Sequence, residues 1–181
     1  MNSKAKLLSL GIVTVALSSL TVGTVIAQTK LTNQSKFFIN GVGQVRVGMT
    51  VSQAAKAAGT KLIGDSPNNN CYYVKPEWEP KNLGFMVTEG RISRVDVWRD
   101  GKITTLKGAK IGDTEARIKS LYPGQIKVTP HEYVEGGHYL TFIPKDQSDQ
   151  NYRVIFETDG KRVTQFRSGK LPEVEFVEGC S

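Results

Sequence analysis

One local pattern occurs twice in this chain, in the same order, and it constrains the fold more than any other feature. Val45-Arg46-Val47-Gly48-Met49-Thr50 leads into one helical stretch, and Ala109-Lys110-Ile111-Gly112-Asp113-Thr114 leads into another. Each is followed by a hairpin signal, Thr88-Glu89-Gly90-Arg91 in the first case and Thr158-Asp159-Gly160-Lys161 in the second. Recurrence of a helix start and a hairpin tip in order predicts two copies of one supersecondary unit. The expected fold class is therefore α+β: two tandem helix-plus-antiparallel-hairpin repeats that form a sheet covered by two helices.

The local signals place the elements. Thr50 is a helix N-cap, and Gln53 three residues later completes a capping box. Val51, Ala54, Ala55 and Ala58 share one helical face, and Gly59 stops the helix. In the second copy Asp113 or Thr114 caps a helix whose inner face is Ile118, Leu121 and Tyr122, ended by Pro123-Gly124. The predicted organisation is a signal peptide over 1–27 and a flexible leader over 28–40, which runs through Phe37, Phe38 and Ile39 into a short first strand or turn. Repeat 1 follows at 41–99, a linker at 100–107 and repeat 2 at 108–170. A C-terminal extension at 171–181 carries Cys180 and reads as an extended edge.

The front end argues for export. Lys4 and Lys6 precede an uncharged run from Leu7 to Ala27, and cleavage is expected after Ala27, the alternative being an uncleaved anchor, since such a run is long enough to cross a bilayer. Removal of that segment leaves nothing to hold the chain stably in a membrane. Cys71 and Cys180 are the only cysteines, and a pair in an exported chain reads as one disulfide. The formal net charge of +7 is scattered among acidic residues without a basic run. That pattern serves solubility and excludes a nucleic-acid partner.

The Gly48-Met49-Thr50 start, the helix ending at Gly59 and the strands after it resemble the SmpA/OmlA family of bacterial outer-membrane assembly lipoproteins. The tandem arrangement looks like the β-lactamase inhibitory protein-like fold, built from two related helix–hairpin units. SmpA/OmlA proteins carry a lipidated Cys near the cleavage site, and this chain has none there. The inhibitor-like fold carries a disulfide in each repeat, whereas here one bridge joins the first repeat to the tail. The resemblance thus implies a fold and a non-enzymatic character, and no binding residues.

No catalytic constellation is legible. His131 and His138 have neither the spacing of one helical face nor a usual zinc pattern, although Glu132 and Glu135 lie between them. A small hydrolase or metal-binding protein using His131 and His138 is one alternative; an envelope-assembly or cell-surface structural factor is another. Asp96, Asp100 and Glu157 read as solvated carboxylates. No cofactor or metal is expected. The aromatic residues carry the functional expectation. Trp78 sits in a Pro-flanked, charged loop, Lys75-Pro76-Glu77-Trp78-Glu79-Pro80, where an exposed ring is an interface anchor and a ring folded back is a lid over the sheet edge. Trp78, Tyr73 and Trp98 form the candidate partner-binding set for an unknown protein in the envelope or outside the cell. An aromatic sheet face favours a binder, and histidines clustered with carboxylates in a pocket favour an enzyme.

Overall fold

A computed structural model describes residues 30–64 and 70–180. The expected signal segment, and the turn cluster from Asp65 to Asn69, lie outside the described residues.

The chain is β-rich, which corrects the α+β expectation. Among the described residues the two α-helices are short, α1 over Val51–Ala58 and α2 over Glu115–Leu121. Everything else regular among the described residues is strand, apart from two 3₁₀ turns, Gln147–Asp149 and Glu173–Glu175. A small sheet combines β1 (Lys36–Phe38), β2 (Gly41–Val42), β3 (Val45–Arg46) and β8 (Thr104–Thr105) in the order β3-β2-β1-β8. The main sheet holds β4 (Leu62–Gly64), β5 (Cys71–Pro76), β6 (Leu83–Thr88), β7 (Arg91–Val97), β9 (Ile126–Pro130), β10 (His138–Phe142), β11 (Tyr152–Thr158) and β12 (Val163–Lys170). Its order is β4-β5-β6-β7-β12-β11-β10-β9, so two four-stranded meanders meet at the β7–β12 pair.

Helix-plus-hairpin units fail as a description because the hairpins β6–β7 and β11–β12 supply only four of the twelve described strands. The short first strand expected at the end of the leader is β1; it pairs with β8, from the expected linker, and the two are anchored in the core by Phe37 and Ile103. Strands β4 and β9 extend the main sheet at its two edges. Pro123 and Gly124 stop α2 after two turns, so neither helix is long enough to cover a sheet of this width.

The local signals behave as their chemistry requires. Thr50 and Gln53 form a reciprocal capping box, and Gly59 closes α1 at φ +63°. Thr114 caps α2 by accepting the N–H of Arg117, while Asp113 accepts the N–H of Lys110. The loops before both helices bond the hairpins alike. Gly48 N–H donates to Ile92 O and Gly112 N–H to Val163 O, each at 2.8 Å. Arg91 and Arg162 return a guanidinium bond to the carbonyls of Gly48 and Gly112.

The two faces of the main sheet are covered differently. One packs Leu83, Phe85, Ile92, Val95, Val97, Leu140, Phe156 and Phe166 against Ala54, Ala58, Ile118 and the small sheet. Phe37 meets Phe166 edge-on at 4.9 Å, which ties the small sheet to the centre of the core. The other face carries charged and aromatic side chains and is crossed by the chain end. Residues after β12 do not form the expected edge strand. They turn at Leu171, make a 3₁₀ turn over Glu173–Glu175, and run as a strap over this face. The strap ends at Cys180, which is bonded to Cys71 on β5. Among the described residues no helix is long and apolar enough to cross a membrane.

Candidate functional site

Side chains alternate along strands, so every second residue of β5, β7, β10, β11 and β12 faces the strap. At the β5 end stand Tyr73 and Trp98. Their rings lie 5.9 Å apart at 51°, and Lys75 Nζ sits 5.8 Å from the Trp98 ring. The Trp98 ring lies flat on Gly84: a Cβ at that position would come within 2.1 Å of Trp98 Cη2. Glycine is what allows the indole to reach the sheet. Burial, and then the charge of Asp96, push the Tyr73 phenol well above its ordinary value.

Trp78 stands apart from this pair and makes no ring contact with it among the described residues. Its side chain is 68% exposed. The loop that carries it is nevertheless held in place. Glu77 N–H donates to Lys61 O at 3.0 Å, and Glu79 Oε2 accepts both Lys81 N–H and Asn33 Nδ2, each at 3.2 Å. The sequence-predicted trio is therefore one packed pair plus one separate, projecting anchor.

The middle of the face holds a charged network that the sequence reading missed. Asp96 and Glu157, read as solvated, are each 4% exposed. Arg94 lies beside Asp96 and donates to both carboxylate oxygens through Nε, at 2.9 and 3.0 Å. Arg167, directly across the β7–β12 ladder from Asp96, pairs with Glu157. Burial, and then the like charge of Arg94, lower the Arg167 guanidinium to about 10. Both arginines also donate to the strap. Arg94 Nη1 reaches Phe176 O at 2.5 Å and Glu173 O at 3.3 Å, and Arg167 Nε reaches Val174 O at 2.7 Å. The one available signal was charge at alternate positions of otherwise apolar strands, Arg94 and Asp96 on β7 and Glu157 on β11. The bland expectation for such residues is a solvent-facing edge.

The two histidines do not converge. His131 stacks on Tyr139 at 4.4 Å on the strap side of the sheet. Its Nδ1 accepts the N–H of Tyr133 at 3.1 Å, which leaves the proton of the neutral ring on Nε2, facing Glu157 Oε2 at 3.3 Å. Burial, and then Arg167, lower its pKa below the ordinary histidine value. His138 lies on the opposite face, with Nδ1 at 2.8 Å from Glu115 on α2. Glu115 feels burial first, but its bonds from Thr158 and His138 outweigh that and lower its pKa. Among the described residues no group of three or more His, Cys, Asp or Glu side chains is arranged to hold a metal ion.

Three clefts flank the strap. One of about 680 Å³ is lined by Cys71, Cys180, Thr88, Glu89 and Tyr133. Two smaller ones, of about 290 and 280 Å³, open beside Arg167 and beside His131 and Glu157. No family model, no curated protein and no solved structure matches the chain. The chemistry of this face is accordingly judged from its own geometry: paired charges, hydrogen bonds already made, and aromatic rings at its rim.

Proposed function

We propose that the chain is an exported, non-enzymatic module that binds another protein, with Trp78 as its principal anchor and the Tyr73–Trp98 pair as a second aromatic contact. The observation that carries this reading is a large, mostly exposed indole on a loop fixed by three hydrogen bonds. A fixed loop loses little conformational entropy when a partner closes on it, so more of the contact energy appears as affinity. The disulfide and the uncharged segment from Leu7 to Ala27 support export, to the periplasm or the medium.

The enzymatic alternative has a specific argument against it. His131 is the histidine that shares a cleft with a carboxylate, and its Nδ1 lone pair is already used by Tyr133 N–H. A general base needs that lone pair for substrate.

The test is capture of partners from the envelope and medium of the producing cell, with the intact chain as bait and with Trp78→Ala. Truncation of a buried Trp anchor is worth about 2 kcal/mol or more, roughly thirtyfold in affinity. The variant should lose its partner and keep its melting temperature. Retention of the same partner by Trp78→Ala refutes the anchor. Turnover of a model ester or peptide that disappears in His131→Ala replaces this reading with the enzymatic one.

A further inference from the structure

We infer that the Cys71–Cys180 disulfide is a redox gate on the Tyr73–Trp98 surface. Closed, it holds Glu178–Cys180 over Tyr73; reduced by a dithiol, it releases those residues while the inner strap stays docked. The biological use of the gate rests on the protein-binding reading above, but the gate itself is a property of this chain alone.

The strap is held by two unlike means. Its inner part is fixed without the bridge. Val174 is fully buried and packs with Tyr139 and Ile155, and Leu171 and Val177 pack against the same cluster. Arg94 and Arg167 donate to three of its carbonyls. Glu173 accepts from Thr88 at 3.0 Å and pairs with Lys170 at 3.2 Å. The outer part, Glu178 to Cys180, has little of this. Among the described residues it makes no backbone–backbone hydrogen bond, and its side-chain bond is an exposed one, from Tyr133 Oη to Glu178 Oε1 at 2.5 Å. Segments with few buried contacts and exposed hydrogen bonds open first. The covalent bridge is what keeps this one down.

What it covers is Tyr73. A Cβ at Gly179 would come within 3.0 Å of Tyr73 Oη and 3.3 Å of its Cε2, so the backbone of Gly179 packs against the phenol end of the ring. Gly179 also has φ +71°, and glycine meets both demands at once. Lifting three residues therefore enlarges the aromatic contact surface beside Trp98 without disturbing the buried charges.

The bridge is reachable, because both cysteines line the 680 Å³ cleft and neither is fully buried. The opening agent is a dithiol, as in a thiol–disulfide oxidoreductase. Its thiolate attacks Cys180 Sγ and forms a mixed disulfide, and Cys71 leaves as a thiolate. The second thiol, deprotonated, attacks the partner's own sulfur in that mixed disulfide, and Cys180 leaves as a thiolate. The dithiol is oxidised to its disulfide by two electrons, and the two protons it gives up balance the two protein thiolates.

Hydroxyl-radical footprinting of the intact chain, oxidised and then treated with dithiothreitol, tests the gate. Oxidation of Tyr73 should rise several-fold on reduction, while that of Tyr139, under the inner strap, stays constant. Cys71→Ser combined with Cys180→Ser should match the reduced protein. Unchanged Tyr73 labelling refutes the gate. An equal rise at Tyr139 refutes it too, because the strap then leaves as one piece or the fold opens. Loss of capture in Trp78→Ala is read independently of either label, so failure of the gate and failure of the binding reading are told apart.

Discussion

Replacing Arg167 with Met removes the cation from a buried charged cluster. Arg167 is 4% exposed and Glu157 likewise. Met matches much of the arginine stem, so packing changes little and the electrostatic loss dominates. Glu157 keeps the bond from Gln165 Nε2 at 2.6 Å and that from His131, both from neutral donors. Its charge is then uncompensated in a low-dielectric site, and Val174 O loses its donor. Removal of one partner of a buried ion pair costs about 3–5 kcal/mol. For a chain of this length that corresponds to a fall in melting temperature of roughly 6–20 °C. The assay is urea unfolding of the intact chain and of Arg167→Met at pH 7 and at pH 4.5. The destabilisation should shrink at the lower pH, because a proton taken up on or beside the orphaned carboxylate removes the uncompensated charge. Arg167→Met with Glu157→Gln should recover part of the loss. A loss below about 1 kcal/mol at pH 7, or one independent of pH, refutes the claim that this pair is a buried, mutually compensating charge.

Two further perturbations probe other parts of the same face. His131 is held neutral by burial and by Arg167, among Glu157, Glu132 and the Tyr139 ring, so its folded pKa lies below the unfolded value of 6.5. The stability it contributes is complete above about pH 6.5 and is lost as the pH falls from there through the folded value. Thermal melts over that window should decline for the native chain and be flatter for His131→Gln; parallel curves refute the assignment. Below about pH 4.5 Glu115 and Glu173 add losses of their own, since both titrate below their ordinary value in the fold. Gly84→Ala should push the Trp98 ring off the sheet and destabilise by about 1–3 kcal/mol, as overpacking does. In a Trp78→Phe background its emission should shift to the red, and an unchanged spectrum refutes the Gly84 contact.

What the sequence revealed of this fold was the part encoded within a few residues. The capping box at Thr50 and Gln53, the glycine stop at Gly59 and the Gly-bearing hairpin tips at Gly90 and Gly160 each depend on neighbours along the chain. The disulfide was legible by elimination, because two cysteines leave one pairing. The small sheet was not, since strands of two or three residues are too short to show an alternation. Phe37-Phe38-Ile39 marked at most a short strand or turn, and its partner around Ile103 read as linker. The charged network was misread for a different reason. Arg94, Asp96, Glu157 and Arg167 alternate with apolar residues as a solvated face does, and only the strap, arriving from the chain end, decides that they are buried. Of the predicted contact residues, Tyr73 and Trp98 come together through the β5–β6–β7 ladder, a long-range pairing. Trp78 projects alone because Pro76 and Pro80 bound its loop, which was visible locally.

The strap explains why one face of this sheet is charged. A sheet of eight strands has two faces to cover, and the helices and small sheet cover only one. About ten residues cannot bury the other by apolar area alone; Val174 is the single strap side chain that is both apolar and fully buried. The remaining contact is made by side chains reaching up to the strap's carbonyls, and Arg is suited to that because its fork serves a carboxylate and a carbonyl together. The carboxylates of Asp96 and Glu157 are then required to neutralise and aim the arginines. Such a network adds little net stability compared with a well-packed apolar layer, but it accepts one placement of the strap and penalises others. Fixing the strap in that placement brings Cys180 to Cys71 and sets Gly179 on Tyr73. The buried charges thus determine where the aromatic surface is covered and where it remains open.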